Sequence, residues 1–280
     1  MDWVSRMNEA LDEMERQLTG EADLLALSRL LRVSPFQFQH IFSLMAGVPV
    51  GEYMRRRRMS RAAAELQGGA KVLDVALKYG YESPTAFNRA FRQVHGIAPS
   101  MARKPGAVVK NHPPIRFQIT IKGAVEMNYR IETLESFTVL GKARTFSMED
   151  CFDKIPKYWN EYYAPGQNPP VAGCLGICID PCNGKDFTYI IGDNCEPDAP
   201  VPEGYQKSTI PAFTWAMFED RGKMPGALQQ LNRRIYTEWA PGNAEYELAG
   251  GYNIEMYTMG DMSSDDYRFE LWVPVRAKQA

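Results

Sequence analysis

The sequence predicts two domains, an all-α segment followed by an α+β segment. Three observations carry that prediction. A nine-residue pattern, Ser34-Pro35-Phe36-Gln37-Phe38-Gln39-His40-Ile41-Phe42, returns as Ser83-Pro84-Thr85-Ala86-Phe87-Asn88-Arg89-Ala90-Phe91. Charge is segregated: residues 24–110 hold fourteen Lys and Arg against four acids, a net +10, and residues 111 onward hold sixteen against twenty-three, a net −7, inside a chain of overall charge −2. Beyond residue 116 the apolar residues change from helical spacing to strand-like alternation.

Residues 1–18 place Val4, Met7, Leu11, Met14 and Leu18 at helical spacing and end before Gly20. Residues 24–31 form a short apolar helix, and Arg32-Val33 turns into Ser34. Ser is a good N-cap and Pro suits the first helical position, so Ser34-Pro35 and Ser83-Pro84 each start a helix sharply. Phe38, Ile41, Phe42 and Met45 give the first of these an apolar face, as Phe87, Ala90, Phe91 and Val94 do the second. The opposite faces are predicted to be free. Gly47 and Gly96 stop the helices, with Pro49 and Pro99 beyond. A long helix over Val50–Gln67 joins the units and stops at Gly68-Gly69. A second cycle follows, Val72 to Tyr79, a turn at Gly80-Tyr81-Glu82, then the Ser83 helix. The pattern is two tandem helix-turn-helix units.

The predicted domains are 1–108 and 127–280, with 109–126 between them and Pro/Gly-rich sequence across 103–116. Strand alternation is predicted from Arg116-Phe117-Gln118-Ile119-Thr120-Ile121. Helices are predicted at about 150–163 and 225–239. Phe137-Thr138 matches Phe213-Thr214, and Ala164-Pro165 matches Ala240-Pro241, both at an offset of 76. Two copies of strand, helix, strand, strand, (β-α-β-β)2, would give one α+β domain with pseudo-twofold symmetry.

Composition narrows the classes. At 45% apolar and 24% charged the chain is globular. No run approaches the ~18 apolar residues of a membrane span, and Met1-Asp2-Trp3-Val4 does not read as a secretory signal, so the cytoplasm is expected, with no membrane partner. Five cysteines, an odd count, argue against a disulfide framework. Cys174, Cys178 and Cys182 recur every fourth residue, but Gly173, Gly176 and Pro181 make the stretch a strand entering a turn. No His lies beyond residue 112, so neither a metal nor a cofactor is expected.

A helix can enter the major groove and pair its exposed side chains with base edges. The free faces carry suitable groups: Gln37, Gln39 and His40 on the first reading helix, and Thr85, Asn88, Arg89 and Arg92 on the second. Two readers on successive grooves lie about 34 Å apart, a spacing the linking helix could fix. Arg55 and Arg58, in its basic cluster, are candidates for phosphate contact.

The residues so far resemble the AraC/XylS regulators. Ser-Pro-x-x-Phe-x-x-x-Phe is followed by Gly47-Val48-Pro49-Val50-Gly51-Glu52-Tyr53, and the second unit carries Val75-Ala76…Tyr79-Gly80-Tyr81-Glu82-Ser83…Phe87-x-Arg89-x-Phe91…Gly96-x-x-Pro99. The resemblance covers roughly 5–105. It implies a two-unit activator module on double-stranded DNA, with RNA polymerase as a further partner, and reader positions at Phe36, Gln39 and His40 in the first helix and Thr85, Asn88 and Arg89 in the second. His40 stands where many members carry Arg, and Arg32 where Gly is common.

The acidic half holds Trp159, Trp215, Trp239 and Trp272 and many tyrosines. Aromatic rings around a carboxylate suit a cationic, lipophilic molecule. Glu255 in Tyr252-Asn253-Ile254-Glu255-Met256-Tyr257 and Glu270 in Tyr267-Arg268-Phe269-Glu270-Leu271-Trp272 lie within strand-like runs, where an acid faces either solvent or a cavity. Residues 127–277 resemble the GyrI-like effector-binding domain, which implies a cleft between two repeats with Glu255 facing it. Trp159, Trp215 and Tyr267 are the candidate cleft aromatics by position. The leading reading is a ligand-responsive transcription regulator and not an enzyme. The alternatives are a hydrolase-like second domain with Glu255 as general base, or a protein-interaction module.

Overall fold

The computed structural model describes residues 3–118, 126–180 and 186–278. Seven helices come first: α1 (Trp3–Arg16), α2 (Leu24–Leu31), α3 (Pro35–Ala46), α4 (Val50–Gln67), α5 (Val72–Lys78), α6 (Pro84–His95) and α7 (Pro99–Ala102). The helix starts follow from local chemistry. The Ser34 hydroxyl accepts from the Gln37 amide at 3.1 Å while the Gln37 side chain accepts from the Ser34 amide at 3.3 Å, a reciprocal cap. The Ser83 hydroxyl accepts from the Ala86 amide at 3.4 Å. Gly47 and Gly96 end the two helices with φ of 71° and 79°, a backbone region that disfavours a Cβ. Arg32 adopts φ 58° at the end of α2, where glycine would be easier.

The two helical units have separate cores. One packs α4 to α7 through Met59, Leu66, Val75, Tyr79, Phe87 and Phe91. The core of α1 to α3 does not end at the helices. Met7, Leu11, Leu27, Phe38, Ile41 and Phe42 form one continuous apolar cluster with Leu231, Tyr236, Phe218 and Phe269 of the second half. The segment after α7 returns along the helices: the His112 amide donates to Ser60 Oγ at 2.9 Å, and Asn8 exchanges two 2.9 Å bonds with the Phe117 backbone. Residues 116–118 are not in a strand, because they are tied to α1; Ile119, Thr120 and Ile121 lie outside the described residues.

The second half is one antiparallel sheet with two long helices. Its elements are β1 (Asn128–Leu134), β2 (Phe137–Ser147), α8 (Cys151–Tyr162), β3 (Leu175–Ile179), β4 (Asp186–Asn194), β5 (Gln206–Ile210), β6 (Phe213–Arg221), α9 (Gly226–Arg234), β7 (Tyr246–Leu248), β8 (Tyr252–Tyr257) and β9 (Arg268–Ala277). α9 continues directly into a π-helical turn, Ile235–Trp239, and a last turn, Ala240–Gly242. The strand order is β1-β6-β9-β8-β3-β4-β2-β5, with β7 on β9. The order is symmetric about the β8–β3 pair. β2, α8, β3 and β4 mirror β6, α9, β8 and β9, which is the predicted duplication, with Phe137 and Phe213 each opening a strand. Each copy also has a leading strand, and these are exchanged: β1 precedes β2 but pairs with β6, and β5 precedes β6 but pairs with β2. Strand alternation gives the sheet two working faces. Ile177, Ile190, Met217 and Ile254 pack on one. On the other, Cys178, Phe187 and Tyr189 meet α8, and Phe218, Phe269 and Leu271 meet α9, leaving a cleft floored by β3 and β8.

Candidate functional site

The two predicted reading helices are presented differently. On α6, Thr85, Arg89 and Arg92 are exposed and Asn88 is half-buried, its Oδ1 accepting from Arg92 Nε at 3.3 Å. This is the predicted free polar face. On α3 the predicted free face is covered. Phe36 and Gln37 are 4% and 2% exposed, and Gln39 is 9% exposed, its amide donating to the Pro35 carbonyl at 3.4 Å. Gln37 completes the helix cap and donates to the Ala249 carbonyl at 3.1 Å. Phe36 packs against Phe187 with ring centroids 4.7 Å apart, and its amide donates to Asp180 Oδ2 at 3.2 Å. His40 lies 2.9 Å from Asn232 Nδ2, edge-on to Tyr236 at 5.6 Å, and desolvation lowers its pKa to about 4. The physical reason is that Phe36 and His40 find a better apolar environment against the sheet and α9 than in water.

The basic cluster on α4 is also largely committed. Arg55 pairs with Glu52, one turn away. Arg58 spends its guanidinium on the Leu18 and Gly20 carbonyls. Arg57 is buried and grips Glu15 with two 2.7 Å bonds, which holds α4 on α1. Phosphate contact by Arg58 therefore requires it to leave these carbonyls.

In the cleft, β8 sets Glu255 on the floor opposite Gly176 of β3. The Glu255 carboxylate accepts from the Tyr189 hydroxyl at 2.5 Å and the Tyr257 hydroxyl at 2.7 Å. Tyr189 in turn accepts from Trp159 Nε1 at 2.8 Å, and Trp159 meets Tyr257 edge-on at 5.0 Å. Burial raises the Glu255 carboxyl above its ordinary range, against the opposing pull of the two hydroxyls. Gly176 makes the arrangement possible, because a Cβ there would lie 2.7 Å from Glu255 Oε2. Among the described residues no Lys, Arg or His forms an ion pair with Glu255. The other strand acid differs: Glu270 is held by both Arg130 nitrogens at 2.9 and 3.1 Å and by Trp272 Nε1 at 2.6 Å, on the opposite sheet face.

The structure brings the predicted Trp159 and Glu255 near one another, linked through Tyr189. Tyr267 is buried just before β9, its hydroxyl donating to the Thr258 carbonyl at 2.8 Å, near Tyr163 and Cys174. Trp215 does not join them. It is fully buried on the other face of the sheet, with Met217, Ile254 and Trp272, because its parity on β6 turns it away from the helices. Tyr189 was the missed residue. Its alternation with Phe187 and Ile191 in β4 puts it on the helix-covered face, but only the β3–β4 pairing brings it to Glu255. Cys178 is buried beside Glu255, and desolvation raises its thiol well above the ordinary value. Among the described residues no group of three His, Cys, Asp or Glu could hold a metal, and no helix is long and apolar enough to cross a membrane.

Comparison with known proteins matches residues 130–275 to the integron-associated effector binding protein family and residues 27–105 to a helix-turn-helix domain. The transcriptional regulator Rob of Salmonella typhimurium is 27% identical over 99% of this chain and 100% of its own length. The HTH-type transcriptional activator AarP of Providencia stuartii is 37% identical over 35% of this chain and 74% of its own. The structure of SAV2435 bound to tetraphenylphosphonium is 27% identical over 54% of this chain and 94% of its own, with a TM-score of 0.44. An exposed polar face on α6, a duplicated sheet around a carboxylate cleft, and a relative aligned over nearly the whole chain lead to one assignment: the chain belongs to the AraC-type helix-turn-helix transcription regulators that carry an effector-binding domain of the integron-associated family.

Proposed function

We propose that this DNA-binding regulator senses a lipophilic monocation in the cleft of residues 127–280, with Glu255 as its counter-ion and Trp159, Tyr189 and Tyr257 as its aromatic wall. The observation that carries the reading is a half-buried carboxylate whose described partners are hydroxyls. Two O–H donors orient the charge but leave it uncompensated, and a cation over aromatic faces supplies what is missing. Tetraphenylphosphonium, one positive charge within four aryl rings, is a suitable probe. Calorimetric titration should show binding that Glu255→Gln weakens at least tenfold, since the neutral amide keeps the shape and loses the charge. Binding of equal strength by the variant would remove Glu255 from the role. Affinity should also fall as pH is lowered. Glu255 titrates above its ordinary value in the free protein, and only its ionised form pairs with the cation.

On the DNA side, Arg89 on α6 is proposed to read a base edge, with Asn88 and Arg92 beside it. Arg89→Ala should weaken binding to the protein's own upstream DNA by about 10- to 100-fold in a gel shift, the usual range for one base-reading pair. Undiminished binding would move the readout elsewhere. Phe36, Gln37, Gln39 and His40 are proposed to read the adjoining groove when α3 is free. A polymerase contact and a cytoplasmic location follow from the same reading. The sensor reading is preferred to catalysis because Cys178 is held as a thiol and Glu255 is bound by two hydroxyls it does not deprotonate.

A further inference from the structure

We propose that the effector-binding half is an internal competitor for DNA: it captures the first reading helix, α3, and closes one of the two readers until that contact is released. The proposal rests on the reading of α3 as a DNA reader and goes beyond it, because it assigns the chain a resting state with one groove-reading helix open and the other shut.

Four contacts build the closed state, and they come from separate parts of the second half. The Asp180 carboxylate, just after β3, accepts the amide of Phe36 in the first turn of α3. Phe36 itself enters the aromatic cluster of Phe146, Phe187 and Tyr189. Asn232 of α9 bonds His40. The Ala249 carbonyl takes the Gln37 side chain, and beside it a Cβ on Gly250 would lie in van der Waals contact with Ser34, 3.7 Å from its Cβ. A helix needs its reading face clear to enter a groove about 12 Å wide. Here that face lies against protein.

One of these contacts and a further one at α4 have the chemistry of a phosphate. The first turn of a helix presents unpaired amides and a partial positive charge, and DNA phosphates bind there. Asp180 puts a carboxylate on the α3 first turn. Glu149, in the loop after β2, puts another at the α4 first turn, where a Cβ on Gly51 would lie 2.7 Å from Glu149 Oε1. The acidic half thus offers carboxylates where a duplex would offer phosphates, so closure and DNA are mutually exclusive at these two helix starts.

The cleft is connected to this latch. Tyr189 belongs to the cluster around Phe36 and also donates to Glu255. Asn253, two residues from Glu255 on β8, interacts with Tyr236, the ring against His40. A molecule that moves these rings changes the seat of α3.

The test is made on the full chain with two variants that leave both readers and Glu255 intact. Gly250→Phe inserts a wedge under Ser34, and Asp180→Ala with Asn232→Ala removes the side chains that bond the Phe36 amide and His40. Hydrogen exchange reports whether the α3 amides have opened. Binding to a 40-base-pair mixed-sequence duplex is then measured across salt concentration. The expected result is faster exchange in α3, at least tenfold tighter binding, and a steeper salt dependence, because an opened α3 and α4 add phosphate contacts. Variants with opened α3 that bind DNA with unchanged affinity and salt slope, or more weakly, would overturn the proposal. Failure of the α3 reading itself looks different: Gly250→Phe would open α3, and adding Gln39→Ala to it would leave binding to the protein's own upstream DNA undiminished.

Discussion

At the scale of single residues, the cleft depends on a side chain that is missing. Gly176 faces Glu255 across the β3–β8 ladder, and its two hydrogen atoms leave the room in which the Tyr189 hydroxyl meets the carboxylate. A methyl group there meets both. The strand itself tolerates alanine, which has a β-compatible backbone, so the damage should be local to the site. Gly176→Ala should therefore keep the fold by circular dichroism and weaken tetraphenylphosphonium binding by about tenfold or more, since a lost charge-assisted bond is worth about 1.5–3 kcal/mol. Retained affinity would show that the Tyr189–Glu255 bond is dispensable for ligand binding. Arg32 is the complementary case, a residue that occupies a left-handed position without the glycine that suits it. The sequence marked it as a departure from its relatives, and the structure shows the departure to be one of backbone cost.

At the scale of elements, what was legible in the sequence was what is local. Ser34-Pro35 and Ser83-Pro84 set their helix starts through bonds spanning three residues, and the long helix begins at Val50 and ends at Gln67 as its apolar spacing and Gly68 require. The duplicated sheet was visible because the repeat fixes similar strands at similar intervals. Three features were not legible, and each depends on contacts between distant residues. The exchange of β1 and β5 between the two copies follows from pairing, which alternation cannot assign. Trp215 faces the wrong side for the cleft because of its parity on β6, a property fixed only once the helices choose a face. The polar residues of α3 looked free because nothing within the helix opposes them. Their partners, Asp180, Asn232 and Ala249, lie 144, 192 and 212 residues further along the chain. Equal sequence patterns in α3 and α6 thus give one covered helix and one open one. The difference lies in what surrounds them: α6 belongs to a core of its own, whereas the core of α3 extends into the second half.

At the scale of the molecule, that shared core makes proton concentration a lever on closure, and His40 is the residue through which it acts. The groups facing it include Asn232 and Tyr236 from α9 and its π-helical turn, with Phe36 stacked at 5.8 Å on its own helix. Asp180, the acidic group at the Phe36 amide, is engaged at the helix start. Desolvation by these neighbours holds the closed-state imidazole at about 4, against an ordinary value of 6.5. The group is therefore harder to protonate when the latch is shut. Closure keeps its full strength above pH 6.5 and loses it progressively as pH falls from 6.5 toward 4, because only the released helix accepts the proton readily. Each unit below 6.5 shifts the balance by up to about 1.4 kcal/mol, roughly tenfold in the open fraction. Hydrogen exchange of the α3 amides in DNA-free protein, corrected for the intrinsic pH dependence of exchange, should show α3 opening more at pH 5.5 than at pH 7.5. His40→Phe should keep the ring contacts with Phe36 and Tyr236 and abolish that difference, whereas the Arg89→Ala variant on α6 should retain it. An unchanged difference in His40→Phe would place the proton elsewhere.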